Sequence, residues 1–194
     1  MKKSNFFAFI SRMKYINRWG LMHSTKEESV SEHSLDVAVI AHALAIIQKK
    51  RMGINSDPDK TALYAIYHDA SEILTGDMPT PVKYFNPAIK TAYKEVELSA
   101  SKSLLKLLPE DFYDDYKSLL VPEEKDMEIW KTVKAADKIS AYIKCIEEEK
   151  SGNREFARAR QSILKEINNM DRQDVRIFMD EFLDGYSLTL DEME

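Results

Sequence analysis

Apolar residues return every three or four positions along almost the whole chain, the period of helices with one side turned inward. Phe6, Phe9, Ile10, Met13 and Ile16 share one side of a helix over residues 4–16. A polar loop follows, roughly residues 17–30, carrying Arg18, Trp19 and Gly20. Ser29 and Glu32 have capping-box spacing and predict a second helix from there to about Lys50. Its centre, VAVIAHALAII, is apolar on all sides, the pattern of a helix surrounded by others. Asp57-Pro58 reads as a cap with proline at the first helical position, opening a third helix that ends near Gly76. The stretch GDMPTPVKYFNP cannot stay helical, because Pro79, Pro81 and Pro87 interrupt it. Further helices are expected over residues 88–108, 111–120, 122–152, 153–169 and 171–184. The ending, YSLTLDEME, carries no clear period. No repeat or linker divides the chain, so the expectation is one all-α domain over residues 1–194.

Composition narrows the function classes. Five glycines and six prolines in 194 residues favour long regular segments. A hydrophobic share of 44% against 31% charged is that of a soluble globular protein. The net charge of −5 gives no bulk attraction to nucleic acid polymers or anionic membranes, though a local arginine could still hold a small anion. The one cysteine, Cys145, has no partner for an internal disulfide, in keeping with a reducing compartment. The basic and apolar start resembles a signal peptide only slightly, since Arg12 and Lys14 break it and no small-residue cleavage site follows. The longest apolar run, Val37 to Ile47, contains His42 and is too short to span a bilayer. A cytoplasmic protein without membrane contact is expected.

Candidate chemistry begins in LYAIYHDASEIL, where His68 and Asp69 interrupt an apolar helix and Glu72 follows one turn on. A core helix gains nothing from charges it must desolvate. On an α-helix Glu72 falls about 40° from His68 and about 60° from Asp69, so all three share a face. Imidazole nitrogen beside carboxylate oxygen suits a divalent transition metal, but two ligands do not make a site. Asp137 lies in the inward stripe Met127, Trp130, Val133, Asp137, Ala141 and needs a cationic partner there. His33 sits in the first turn of the most apolar helix, beside the polar loop. His42, nine residues on, points about 180° away and cannot join it. Taken singly, each has a plainer reading. Asp137 could pair with Lys134 or Lys138, His33 could cap its helix, His42 reads as a packed core histidine, and Trp19 as an ordinary aromatic.

The combination H…HD…D resembles the HD-domain metal-dependent phosphohydrolases. The stretches INRWGLM, VSEHSL, YHDASEILTGDMPTPVKY and KAADKISAYIKC look like those of the YfbR-type 5′-deoxynucleotidases, and similarity runs from Phe6 to the end. The resemblance implies an HD-domain helical bundle with His33, His68, Asp69 and Asp137 as metal ligands. It implies Glu72 as an acid-base residue outside the ligand set and Arg18 as the group that orients the phosphate for catalysis. Trp19 would face the sugar, and Asp77, Met78, Pro79 and Thr80 would hold the nucleotide, with His33, Asp69 and Asp137 also at the substrate. The implied substrates are deoxyribonucleoside 5′-monophosphates, the implied cofactor one divalent ion (Co²⁺ or Mn²⁺, others possible), and the implied assembly a homodimer. In the family pattern proline follows the Arg-Trp pair; here it is Gly20, which loosens the loop. Two other readings are an HD-domain hydrolase of nucleoside triphosphates or phosphodiesters, and a non-catalytic helical module. Against the first stands Arg18 as the only arginine of the motif loops; against the second, an acid beside a metal set that a binding module would not need.

Overall fold

The second helix starts where its capping box predicts. Ser29 Oγ accepts from Glu32 N at 3.2 Å and Glu32 Oε2 accepts from Ser29 N at 2.8 Å, and α2 runs Val30–Arg51. In this computed structural model, which describes residues 3–83 and 85–193, the other helices are α1 Phe6–Ile10, α3 Pro58–Tyr67, α4 Glu72–Thr75, α5 Thr80–Lys83, α6 Pro87–Leu105, α7 Tyr113–Leu120, α8 Met127–Lys150, α9 Ala157–Asn168 and α10 Gln173–Phe182. The described residues contain no strand, only an isolated antiparallel bridge between Asn17 and Ser29. The all-α class read from periodicity holds. Met1 and Lys2 of the expected 1–194 domain, Tyr84 of GDMPTPVKYFNP and Glu194 of YSLTLDEME lie outside the described residues.

The core forms around α2. Val37, Ala41 and Leu44 are fully buried against α3 and α8, and α10 closes a further side through Val175 and Phe178. A second, smaller cluster gathers Phe6, Ala70, Leu104, Leu105, Leu108 and Leu120, joining α1, α6 and α7. Ala70 ties this cluster to the turn after α3, so His68 and Asp69 lie at the seam of the two apolar clusters.

Several boundaries depart from the expected ones. The first helix is one α-turn followed by a 3₁₀ segment, Ser11–Tyr15, though Phe6 and Met13 are buried as the spacing required. GDMPTPVKYFNP does hold one helical turn, α5, because Pro81 falls in a first turn whose N–H groups need no internal partner. The α2 helix is not enclosed on every side: Leu35 and Val39 are exposed. His42 is half-exposed, 3.7 Å from Asp59, and is not a core histidine. Among the described residues α2 alone is long and apolar enough to cross a membrane by length and composition. More than half of that stretch is buried against neighbouring helices, as in a core helix.

Candidate active site

The third helix stops at the His68-Asp69 pair. Instead of running on to Gly76, α3 ends at Tyr67, and the chain tightens into i→i+3 bonds: His68 N to Ala65 O, Ala70 N to Tyr67 O, Glu72 N to Asp69 O. His68 Nδ1 bonds the same Ala65 carbonyl at 2.7 Å, taking an acceptor the α-helix would have used one residue later. At 3₁₀ winding, side chains three apart eclipse. Glu72 follows Asp69 by one such turn, so the continuous helix expected to carry His68, Asp69 and Glu72 is interrupted between them.

His33, His68 and Asp69 each present a ligand atom, and these atoms lie within 4.8 Å of one another. Asp137, from the middle of α8, reaches the group through His33, with Oδ1 3.1 Å from Nε2. Lys138 pairs with Glu166 instead, so the plain ion pair with Asp137 is not formed by it. His33 is fully buried, and its Nδ1 meets Ser140 Oγ at 3.2 Å. A metal fits these residues on one observation above all. Because Nδ1 of His68 donates to a backbone carbonyl, Nε2 carries the lone pair, and Nε2 is buried with no hydrogen-bond partner. Asp69 Oδ2 stands 3.1 Å away, so the carboxylate and this nitrogen face the same point. Burial pulls the His68 pKa down, yet the carboxylates of Asp69 and Asp137 outweigh it and raise it. Burial pushes the Asp137 carboxyl up, but the bond to His33 and the charges of His33, His68 and Arg18 hold it well below the usual range.

Arg18 and Trp19 enter from the loop before α2. Arg18 Nη1 reaches Asp69 Oδ2 at 3.4 Å, and its Nε donates to Glu28 Oε2 at 3.3 Å. Trp19 Nε1 donates to the same Glu28 oxygen at 2.9 Å. The indole packs edge-on to Phe156 at 5.2 Å, against the main core cluster. Trp19 has φ 60°, a strained backbone for a bulky residue. Its N–H donates to Asp77 Oδ2 at 3.3 Å, which joins the 77–80 loop to this one. At Gly20 an added Cβ would meet nothing within 4 Å, so no close contact demands glycine there.

Gly76, at φ 71°, ends α4 and turns the chain toward Asp77. Met78 and Pro79 are half-buried and Thr80 is exposed at the start of α5. Tyr93 of α6 donates to the Gly76 carbonyl at 3.4 Å, while Lys83 pairs with Glu97 at 2.8 Å and lies over the Tyr93 ring. Glu72 is buried, with Oε2 unpartnered, and burial with the charges of Asp69 and Asp77 pushes it up to about 10, against Arg18 and Lys83. It is a carboxyl poised to hold a proton. Reasoning from the sequence missed Glu28 and Ser140. Ser140 had a signal, one helical turn from Asp137; Glu28 had none beyond its place in the loop.

Residues 5–186 match the family described as 5′-deoxynucleotidase YfbR-like. The chain is 47% identical over 193 residues to a 5′-deoxynucleotidase of Photobacterium profundum, covering all of both chains. It is 46% identical over 193 residues to one of Vibrio cholerae, again covering all of both. A crystal structure of an HD-domain phosphohydrolase from Listeria innocua superposes with a TM-score of 0.80 at 26% identity, over 94% of this chain and 88% of that one.

Proposed function

The chain belongs to the YfbR-like 5′-deoxynucleotidase family, and from that membership we propose that it hydrolyses deoxyribonucleoside 5′-monophosphates to deoxyribonucleoside and phosphate with a divalent metal. The observation that carries the metal is the buried, unpartnered Nε2 of His68, whose tautomer is fixed by Ala65. His33, His68, Asp69 and Asp137 would hold the ion. When bound, it supplies charge against the phosphoryl oxygens and acidifies a water. Either Co²⁺ or Mn²⁺ suits two imidazoles and two carboxylates.

The chain's own residues do the rest. Arg18 offers the phosphate a planar pair of donors, which a lysine could not match. Glu72 holds a proton beside Asp69, passes it to the leaving 5′ oxygen as water adds to phosphorus, and takes back the proton that water gives up. Trp19 walls the sugar near C2′, and Asp77, Met78, Pro79 and Thr80 line the nucleotide. We further propose a cytoplasmic homodimer whose protomer is one domain, residues 1–194. A screen for nucleoside, phosphate and nucleotide products over nucleoside mono-, di- and triphosphates and a phosphodiester, with and without added metal, tests this reading. Metal-dependent release from deoxyribonucleoside monophosphates supports it. Preference for triphosphates or phosphodiesters would make it a different HD-domain hydrolase, and no release at all a binding module.

A further inference from the structure

We propose that Glu28 is a positioning residue that locks Arg18 and Trp19 into one unit and thereby sets the preference for deoxyribose. The inference rests on the roles proposed above for those two residues. A single oxygen, Oε2, accepts from both Arg18 Nε and Trp19 Nε1, so the phosphate grip and the sugar wall hang from one atom. The backbone repeats the link, with Arg18 N donating to Glu28 O at 2.8 Å. The Glu28 side chain is only 10% exposed, and Oε1 comes within 3.8 Å of His33 Nδ1, so the same carboxylate abuts the ligand cluster. A wall selects against an extra hydroxyl only if it cannot retreat. Edge contact with Phe156 alone leaves the indole free to slide. The bond to Glu28 removes that freedom.

The loop keeps its place without Glu28. Glu148, almost fully buried, accepts from Thr25 N at 2.8 Å and from Asn153, while Lys144 donates to the Lys26 carbonyl at 2.6 Å. Removal of the Glu28 carboxylate should therefore free the two side chains and leave the loop anchored. Gln can present its carbonyl oxygen where Oε2 stands and keep both bonds without the charge. Ala keeps neither, and Asp keeps the charge but draws it back by one methylene.

The test compares kcat/KM for matched deoxy- and ribonucleoside 5′-monophosphates in the parent, Glu28→Gln, Glu28→Asp and Glu28→Ala, with bound metal per chain measured in each. Glu28→Gln should hold the parent's deoxy-to-ribo ratio within about threefold, while Ala and Asp lower it roughly tenfold or more, all with unchanged metal content. Inhibition by inorganic phosphate should weaken in step in Ala and Asp, as Arg18 loosens. A purely structural role would scale both substrates together and leave the ratio alone. An unchanged ratio in folded Ala or Asp variants overturns the proposal, as does an equal fall in Gln and Ala, or loss of metal. If Ala does not fold, the Gln and Asp pair decides. A parent ratio near one overturns the deoxynucleotide reading and this inference with it, whereas a high parent ratio that survives in every variant overturns this inference alone.

Discussion

His68 Nδ1 stands 2.7 Å from the Ala65 carbonyl oxygen, and this one bond both ends α3 and aims the free Nε2 into the cluster of His33 and Asp69. A side chain thus fixes its own backbone turn and its own tautomer. His68→Ala loses the ligand atom, and Asp137→Ala loses the carboxylate on the opposite helix. Each variant should fold, retain no stoichiometric divalent metal after dialysis and show no hydrolysis above background. Elemental analysis of the dialysed proteins checks this. Full metal content with normal turnover in either variant would remove that residue from the ligand set.

Glu72→Gln should keep metal and nucleotide binding while kcat falls by roughly 10²-fold or more, the scale of a lost acid-base group. Its carboxyl is buried with one oxygen unpartnered, so the neutral amide should not lower thermal stability. Loss of metal would place Glu72 among the ligands; unchanged turnover would take it out of the mechanism.

Trp19→Ala should lower the deoxy-to-ribo ratio of kcat/KM while phosphate still inhibits, since Arg18 keeps its bond to Glu28. Melting temperature should fall as well, because the ring packs on Phe156. A large parent ratio that survives the substitution would leave Trp19 with packing alone.

Acid should weaken the fold through Glu148. Burial pushes its carboxyl up, but bonds from Lys144, Thr25 and Asn153 prevail and hold it well below the usual range. Its stabilisation is complete above the ordinary Glu value of about 4.3 and is lost as pH falls through the depressed one. Glu148→Gln should flatten the loss of stability below about pH 4 and cost roughly 3 kcal/mol at pH 7, where Lys144 stays buried without its counter-charge. Denaturant melts from pH 3 to 7 measure both; parallel curves for parent and variant would contradict this.

Local signals were legible in the sequence. The Ser29–Glu32 box, the Asp57-Pro58 start and the stripe Trp130, Val133 and Ala141 depend on neighbours within a turn, and the structure places them as expected, whereas Met127, at the start of α8, is exposed and not part of that stripe. The candidate cluster of His33, His68 and Asp69 could be picked out because His68-Asp69 breaks an apolar run at a recognisable spacing. The turn at His68 could not, since it arises from a side chain competing for a carbonyl that helical periodicity assigns to the backbone. Glu28 and the Trp19–Phe156 contact were hidden for another reason: what they do is decided by residues that only folding brings together.

The most direct measurement is reconstitution. Protein stripped of metal by chelator is titrated with Mn²⁺ or Co²⁺, and phosphate release is followed from a deoxyribonucleoside 5′-monophosphate and its ribonucleoside counterpart. Release from the deoxynucleotide that rises with bound ion, saturates at one ion per chain and stays well above release from the ribonucleotide is the predicted result. Hydrolysis that persists at full rate in the stripped protein, or equal rates on the two sugars, would contradict it.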